Sequence, residues 1–158
     1  MKNLLVIGAC VVILVACFSS YLVSVKKNTN SIFEGETRQF FIGSSVLKVA
    51  IADTQATREK GLSDITHLPQ DSGLFFVFSE RGQSGIWMKD MLFPIDIIWM
   101  NDVLEVVDVH TDVSPDTYPT SFHPRTPAQF ALEVNAGFSK KHDVKIKSTG
   151  SWKTPQAQ

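Results

Sequence analysis

Hydrophobic positions in this chain form one long N-terminal run followed by many short ones, separated by polar, glycine or proline residues. In FFIGSSVLKVAIA, residues 40–52, Leu47, Val49 and Ile51 fall on one face and Lys48 on the other, the period of two of a strand. Gly43-Ser44-Ser45 divides that stretch into a hairpin. Asp53-Thr54 caps a short helix over Gln55–Lys60, and Gly61 stands where such a helix stops. LFFVF, residues 74–78, is an apolar run between turn residues and reads as a strand buried on both faces. Further strands are expected over 86–89, 95–100, 103–109, 130–135 and 144–147, with a helical turn over 136–142. Segment 111–127 carries four of the seven prolines, which exclude a helix or a central strand and predict a long loop. Many short strands with two short helices predict an α+β fold on a compact, strongly curved, mainly antiparallel sheet or small barrel.

The long apolar run sets this domain apart from what precedes it. Residues 1–27 are read as a membrane anchor or a lipoprotein-type signal, 28–39 as a linker, 40–149 as the globular domain and 150–158 as a tail. Leu4–Val25 has about the ~20 residues that cross a bilayer. Leu14-Val15-Ala16-Cys17 instead resembles a lipobox, which makes Cys17 a candidate lipidation site. The apolar character continues past Cys17 and favours the uncleaved anchor. Both alternatives attach the chain to the cell membrane with the domain on the extracytoplasmic side, although Lys26 and Lys27 run against the positive-inside tendency. Both cysteines, Cys10 and Cys17, lie in this run, so the domain has no disulfide and no thiolate chemistry.

Composition narrows the function classes. A formal net charge of −1, with no run of Lys or Arg longer than two, argues against a nucleic-acid partner. The four histidines lack metal-ligand spacing, and no phosphate-cradling glycine motif is present, so neither metal nor cofactor is expected.

What remains is a set of charges in oily surroundings. In GIWMKDMLFPIDIIWM, residues 85–100, a hairpin turning near Leu92-Phe93 would place Lys89 opposite Asp96, with Trp87 on the face of Lys89. Such a pair is either architectural, fixing register, or the polar element of a pocket walled by Trp87. In FALEVN, residues 130–135, Glu133 and Asn135 share a face with Ala131, opposite Phe130, Leu132 and Val134. That face is either solvated or curls into the same concavity. Arg58 on the short helix completes the candidate ligand-binding set of Trp87, Lys89, Asp96, Glu133, Asn135 and Arg58.

Several of these residues recur in an ordered series: Arg58-Glu59-Lys60-Gly61-Leu62, Leu68-Pro69, Ser72-Gly73-Leu74-Phe75-Phe76-Val77-Phe78, Trp87-Met88-Lys89, Pro94-Ile95-Asp96-Ile97, Tyr118-Pro119 and Leu132-Glu133-Val134-Asn135-Ala136-Gly137. The series resembles domain-of-unknown-function family number 192, a small bacterial and archaeal domain often found behind a signal or anchor. The resemblance implies a compact β-rich α+β fold and brings no reaction, substrate or cofactor. Two positions depart from its pattern: Asp90-Met91 stands where Asn-Thr is usual, and Lys147-Ser148 where Gly-Asp is common.

The reading favoured by the sequence is a non-catalytic ligand- or partner-binding module, taking a small anionic ligand or a cell-envelope component. The alternatives are a hydrolase using Asp96 and Glu133 as acid and base, and a purely structural interaction domain.

Overall fold

A computed structural model describes residues 35–152 together with Ile32. The anchor or signal over 1–27, Cys17 included, lies outside the described residues. Among the described residues no helix is long and apolar enough to cross a membrane.

The domain is a seven-stranded, strongly curled sheet with two short helices. Strands β1 (Thr37–Ile42) and β2 (Ser45–Ala52) form the expected hairpin, and β1 begins inside the segment read as linker. Helix α1 (Gln55–Lys60) starts at Thr54, whose hydroxyl accepts from Thr57 N–H in a reciprocal capping box. It ends at Gly61, whose φ of 50° and ψ of −136° suit glycine and strain any other residue. The crossover through α1 lets β3 (Ser72–Gly82) lie parallel to β2, while the other sheet neighbours are antiparallel. Strands β5 (Ile95–Met100), β6 (Val106–Val113), β8 (Ala128–Asn135) and β9 (Ser151–Trp152) complete the order β6-β5-β8-β3-β2-β1-β9. Helix α2 (Phe138–Lys141) follows β8.

The C-terminal segment ties the two edges of the sheet together. Residues 147–150 exchange backbone hydrogen bonds with 104–106 at the start of β6, and Ser151–Trp152 pair with β1. The expected strand over 144–147 does not form, and bonding to β6 begins only at its last residue, Lys147. Lys147, at φ 75°, occupies the left-handed region in a turn. Glycine, common there in the resembling family, would sit in this region without strain.

Alternation along the strands creates two cores. Phe40, Leu47, Val49, Phe75, Ile98, Leu132 and Val134 pack inside the curl, joined by Phe138 of α2. Leu74, Phe76, Phe78, Ile95, Ile97, Trp99 and Ala131 face the other way. That second face is covered by Leu62, Ile65 and Leu68 after α1, and by Ile86, Met88 and Met91. These two covering segments are bonded to each other, through Asp64 N–H to Asp90 O and Ser63 Oγ to Lys89 O.

The 86–100 hairpin does not form. Strand β5 is hydrogen-bonded on both edges, to β6 and β8, and has no edge left for β4 (Ile86–Trp87). β4 instead pairs with β7 (Ser121–Phe122), a two-residue strand inside the proline-rich segment. Gly85 permits that approach, because a Cβ there would collide with Ser121 Oγ and the His123 ring. The start of segment 111–127 belongs to β6, followed by a 3₁₀ turn (Pro115–Thr117), so it is partly structured rather than one open loop.

Candidate functional site

Where β5 and β8 pair, Asp96 lies opposite Val134, and Ile97 lies opposite Glu133. Cross-strand partners share a face, so the carboxyls of Asp96 and Glu133 point to opposite faces of the sheet. The two-carboxylate hydrolase is thereby corrected, because the sheet itself separates the groups that would have to converge.

Asp96 is wholly buried inside the curl. Its Oδ1 accepts from Asp112 N–H at 2.9 Å and Gly137 N–H at 3.1 Å, and its Oδ2 from Ser139 N–H at 2.9 Å. These three bonds join β6 and the start of α2 to the middle of the sheet. The expected ion pair with Lys89 is a second correction. Backbone N–H groups satisfy Asp96, while the Lys89 side chain is exposed on a turn where Asp90 takes a φ of 55°. Only the Lys89 carbonyl is engaged, by Ser63 Oγ at 2.7 Å.

Glu133 faces the other core and is 3% exposed. Its Oε2 has no hydrogen-bond partner. Burial alone pushes its carboxyl from 4.5 up to about 8, with no charged neighbour opposing the shift. This residue forms the floor of a cleft of about 50 Å³ between the end of α1 and the segment 85–91. Phe76 and Phe78 of β3 line it, with Gly61, Leu62 and Ser63 on one side and Ile86, Trp87 and Met91 on the other. Trp87 is half-exposed at the wall and meets Tyr118 edge-on at a centroid distance of 6.3 Å. Pairing of β4 with β7 and the Trp87–Tyr118 contact make the proline-rich segment a buttress for this wall.

Three of the six candidate residues therefore line one cleft: Trp87, Glu133 and Arg58. The guanidinium of Arg58 is held by Asp53 O at 2.6 Å and Val77 O at 3.0 Å, tying α1 to β3. Lys89, Asp96 and Asn135 are not among the lining residues. Asn135 instead donates through Nδ2 to Leu68 O and Pro69 O, pinning the loop after α1.

A second polar cluster escaped the sequence reading. Asp108 is fully buried, with Arg125 Nε 3.0 Å from both its carboxyl oxygens and the Arg125 N–H 2.8 Å from Oδ2. Burial pushes the Asp108 carboxyl up, but hydrogen bonds from the Arg125 side chain and backbone and from Val109 N–H, with the Arg125 charge, outweigh it and hold the group at about 2. A bulge places Asp108 opposite Trp99 although Met100 pairs with Val106, so one extra residue re-aims the side chain. The valine-rich run VLEVVDV gave one local signal, an acid among valines, but not the bulge. His110 beside it is lowered from its usual value, mainly by burial, which the Asp108 charge opposes. The cluster fastens segment 111–127 to the sheet.

With this geometry in hand, comparison places the chain among known proteins. The family model DUF192, described as Uncharacterized ACR, matches residues 39–152. No curated protein matches. A crystal structure from Sinorhizobium meliloti 1021, described as a candidate transcription regulator, is similar at a TM-score of 0.71 and 23% identity, covering 74% of this chain and 94% of that one. A protein of unknown function from Novosphingobium aromaticivorans DSM 12444 is similar at a TM-score of 0.70 and 22% identity, covering 73% of this chain and 85% of that one. Such identities show a shared fold alone. The family match spans most of the chain, and the chain belongs to the DUF192 family.

Proposed function

We propose that this chain is a membrane-anchored, extracytoplasmic binding module that takes a small ligand in the cleft between Trp87 and Glu133 without transforming it. One observation carries the reading: the carboxyl of Glu133 is buried at the cleft floor with an unpaired oxygen. A buried polar atom without a partner costs about 1–3 kcal/mol, a cost that a bound ligand would offset. Among the described residues three other buried side-chain polar atoms lack partners, Trp99 Nε1, His110 Nδ1 and Ser139 Oγ, and none of those residues lines the cleft. Catalysis is disfavoured because the other acid and base groups of the lining are already bonded elsewhere, Glu59 to Gln55 and Lys60 to Asp64, which leaves Glu133 without a free acid–base partner. The membrane attachment rests on the apolar run Leu4–Val25.

A thermal-shift screen of the full chain in neutral detergent against sugars, amino acids, nucleotides and cell-wall fragments tests the module. A ligand selective for the folded state raises the midpoint in the wild type. The reading expects a smaller rise at the same ligand concentration in Trp87→Ala, a substitution on a half-exposed side chain. A rise equal in both proteins, or no rise with any compound, would contradict it. Protease treatment of intact spheroplasts tests the placement: digestion of the domain supports it, and full protection opposes it.

A further inference from the structure

The floor of the cleft offers acceptors, while the cations on its rim are turned to other partners, Arg58 to Asp53 O and Val77 O and Lys60 to Asp64, and that asymmetry specifies a ligand. Gly61 Cα faces the floor at the point where α1 stops. A Cβ built there would lie 3.7 Å from Phe76 Cζ, 3.9 Å from Arg58 O and 4.0 Å from Glu133 Oε2. Two oxygens and an aromatic edge thus converge on one small space left open by the absent side chain. Neither oxygen is engaged: among the described residues no backbone N–H outside the helix donates to Arg58 O, and Glu133 Oε2 has no partner. The hydroxyl on the lining, Ser63 Oγ, donates to Lys89 O and is not free to donate to a ligand. Phe76, Phe78 and Trp87 add aromatic surfaces of the kind that hold cations.

We propose that this cleft binds the head of a primary ammonium group, such as an aminoalkyl chain end, with Glu133 Oε2 and Arg58 O as acceptors and Trp87 at the mouth. The proposal rests on the binding-module reading and names its ligand class. It replaces the anionic ligand expected from Lys89, whose exposed side chain lies outside the lining. At about 50 Å³ the cleft fits a head group, since enclosing a whole drug-sized molecule takes about 300 Å³ or more.

The charged groups around Glu133 are few. On α1 they are Arg58, bonded to Asp53 O and Val77 O, Glu59, bonded to Gln55, and Lys60, paired with Asp64. Lys89 and Asp90 on the facing turn are exposed, and the buried side chains that β3 and β5 present on this face are Leu74, Phe76, Phe78, Ile95, Ile97 and Trp99. An ammonium ligand therefore competes directly with the proton on Glu133, and its affinity must rise as that carboxyl ionises.

The test uses three matched probes, n-propylammonium, n-propanol and propionate, titrated into the full chain in neutral detergent while the Trp87 indole N–H is followed by NMR. Saturable shifts are expected with propylammonium, at an affinity that climbs roughly tenfold per pH unit below pH 8. Glu133→Gln should weaken binding about tenfold or more, and Trp87→Ala, followed by Glu133 side-chain signals, several-fold. Equal binding of propanol or propionate, or unchanged affinity in Glu133→Gln, would overturn the ammonium assignment and leave the binding module standing. Silence with all three probes overturns the assignment as well. The module itself fails if the broader ligand screen is also empty or if its midpoint rise is the same in Trp87→Ala.

Discussion

Asp96 and Glu133 sit on neighbouring strands, both buried, yet their surroundings are opposite. Asp96, inside the curl, accepts three backbone N–H bonds that gather β6 and α2 onto β5. Glu133, on the outer core face, keeps a bare oxygen under a cleft and is pushed up to about 8 by burial. The first carboxylate is fully used by the fold. The second weakens the fold as pH rises from about 4.5 toward 8 and has spare bonding capacity, which is what a binding group requires. Burial of a charge is therefore no guide to function until its partners are counted.

The largest loss of stability is expected at Asp96. Asp96→Ala strands three N–H donors, buried at Ser139 and part-buried at Asp112 and Gly137, and should cost about 3–5 kcal/mol in urea unfolding at pH 7. A loss under about 1 kcal/mol would remove Asp96 from its structural role.

Glu133 should show the opposite sign. Its folded value lies above its unfolded value of 4.5, so the folded state holds the proton longer. Stability is intact below about pH 4.5 and falls as pH rises toward 8, by up to about 4 kcal/mol. Glu133→Gln should abolish that slope and be the more stable protein at pH 8.5, measured by thermal melts across pH.

Asp108 is a third case, a carboxylate held mainly by hydrogen bonds from Arg125 and the Val109 N–H, with the Arg125 charge adding to them. Its folded value of about 2 lies below the ordinary 3.8. Its contribution is present above about pH 4 and lost as pH falls toward 2. With the Arg125 side chain 74% exposed and screened, the loss should be about 1 kcal/mol. Asp108→Asn should flatten the acid limb of the stability curve in that window.

The smallest effect is expected at Lys147. Lys147→Gly relieves a left-handed backbone at φ 75° and should gain about 0.5–1 kcal/mol in urea unfolding. The same change at Lys145, outside that conformation, should give no gain.

Local pattern carried much of the fold. Alternation in 40–52 gave the β1–β2 hairpin, the Thr54 cap and Gly61 bounded α1, and period two in FALEVN put Glu133 on the correct face. The ordered motifs carried the family. What stayed hidden depends on distant pairing. Nothing within 86–100 reveals that β5 spends both edges on β6 and β8, or that β4 finds its partner at Ser121–Phe122. The donors that satisfy Asp96 lie 16, 41 and 43 residues away. Adjacency in sequence made Lys89 look like the partner, whereas the N–H groups of remote turns filled that role. The site was half legible for the same reason: Trp87 and Glu133 were visible as residues, but their shared cleft exists only once α1 and the 85–91 segment fold over β3.

The binding role of Glu133 depends on a carboxyl that is unpaired beneath the cleft and pushed by burial up to about 8. Its side-chain carboxyl ¹³C shift, followed by NMR from pH 4 to 10 in the full chain, tests this directly. A titration midpoint near 8 is predicted, moving downward when propylammonium saturates the cleft. A midpoint near 4.5, unmoved by the amine, would contradict the account.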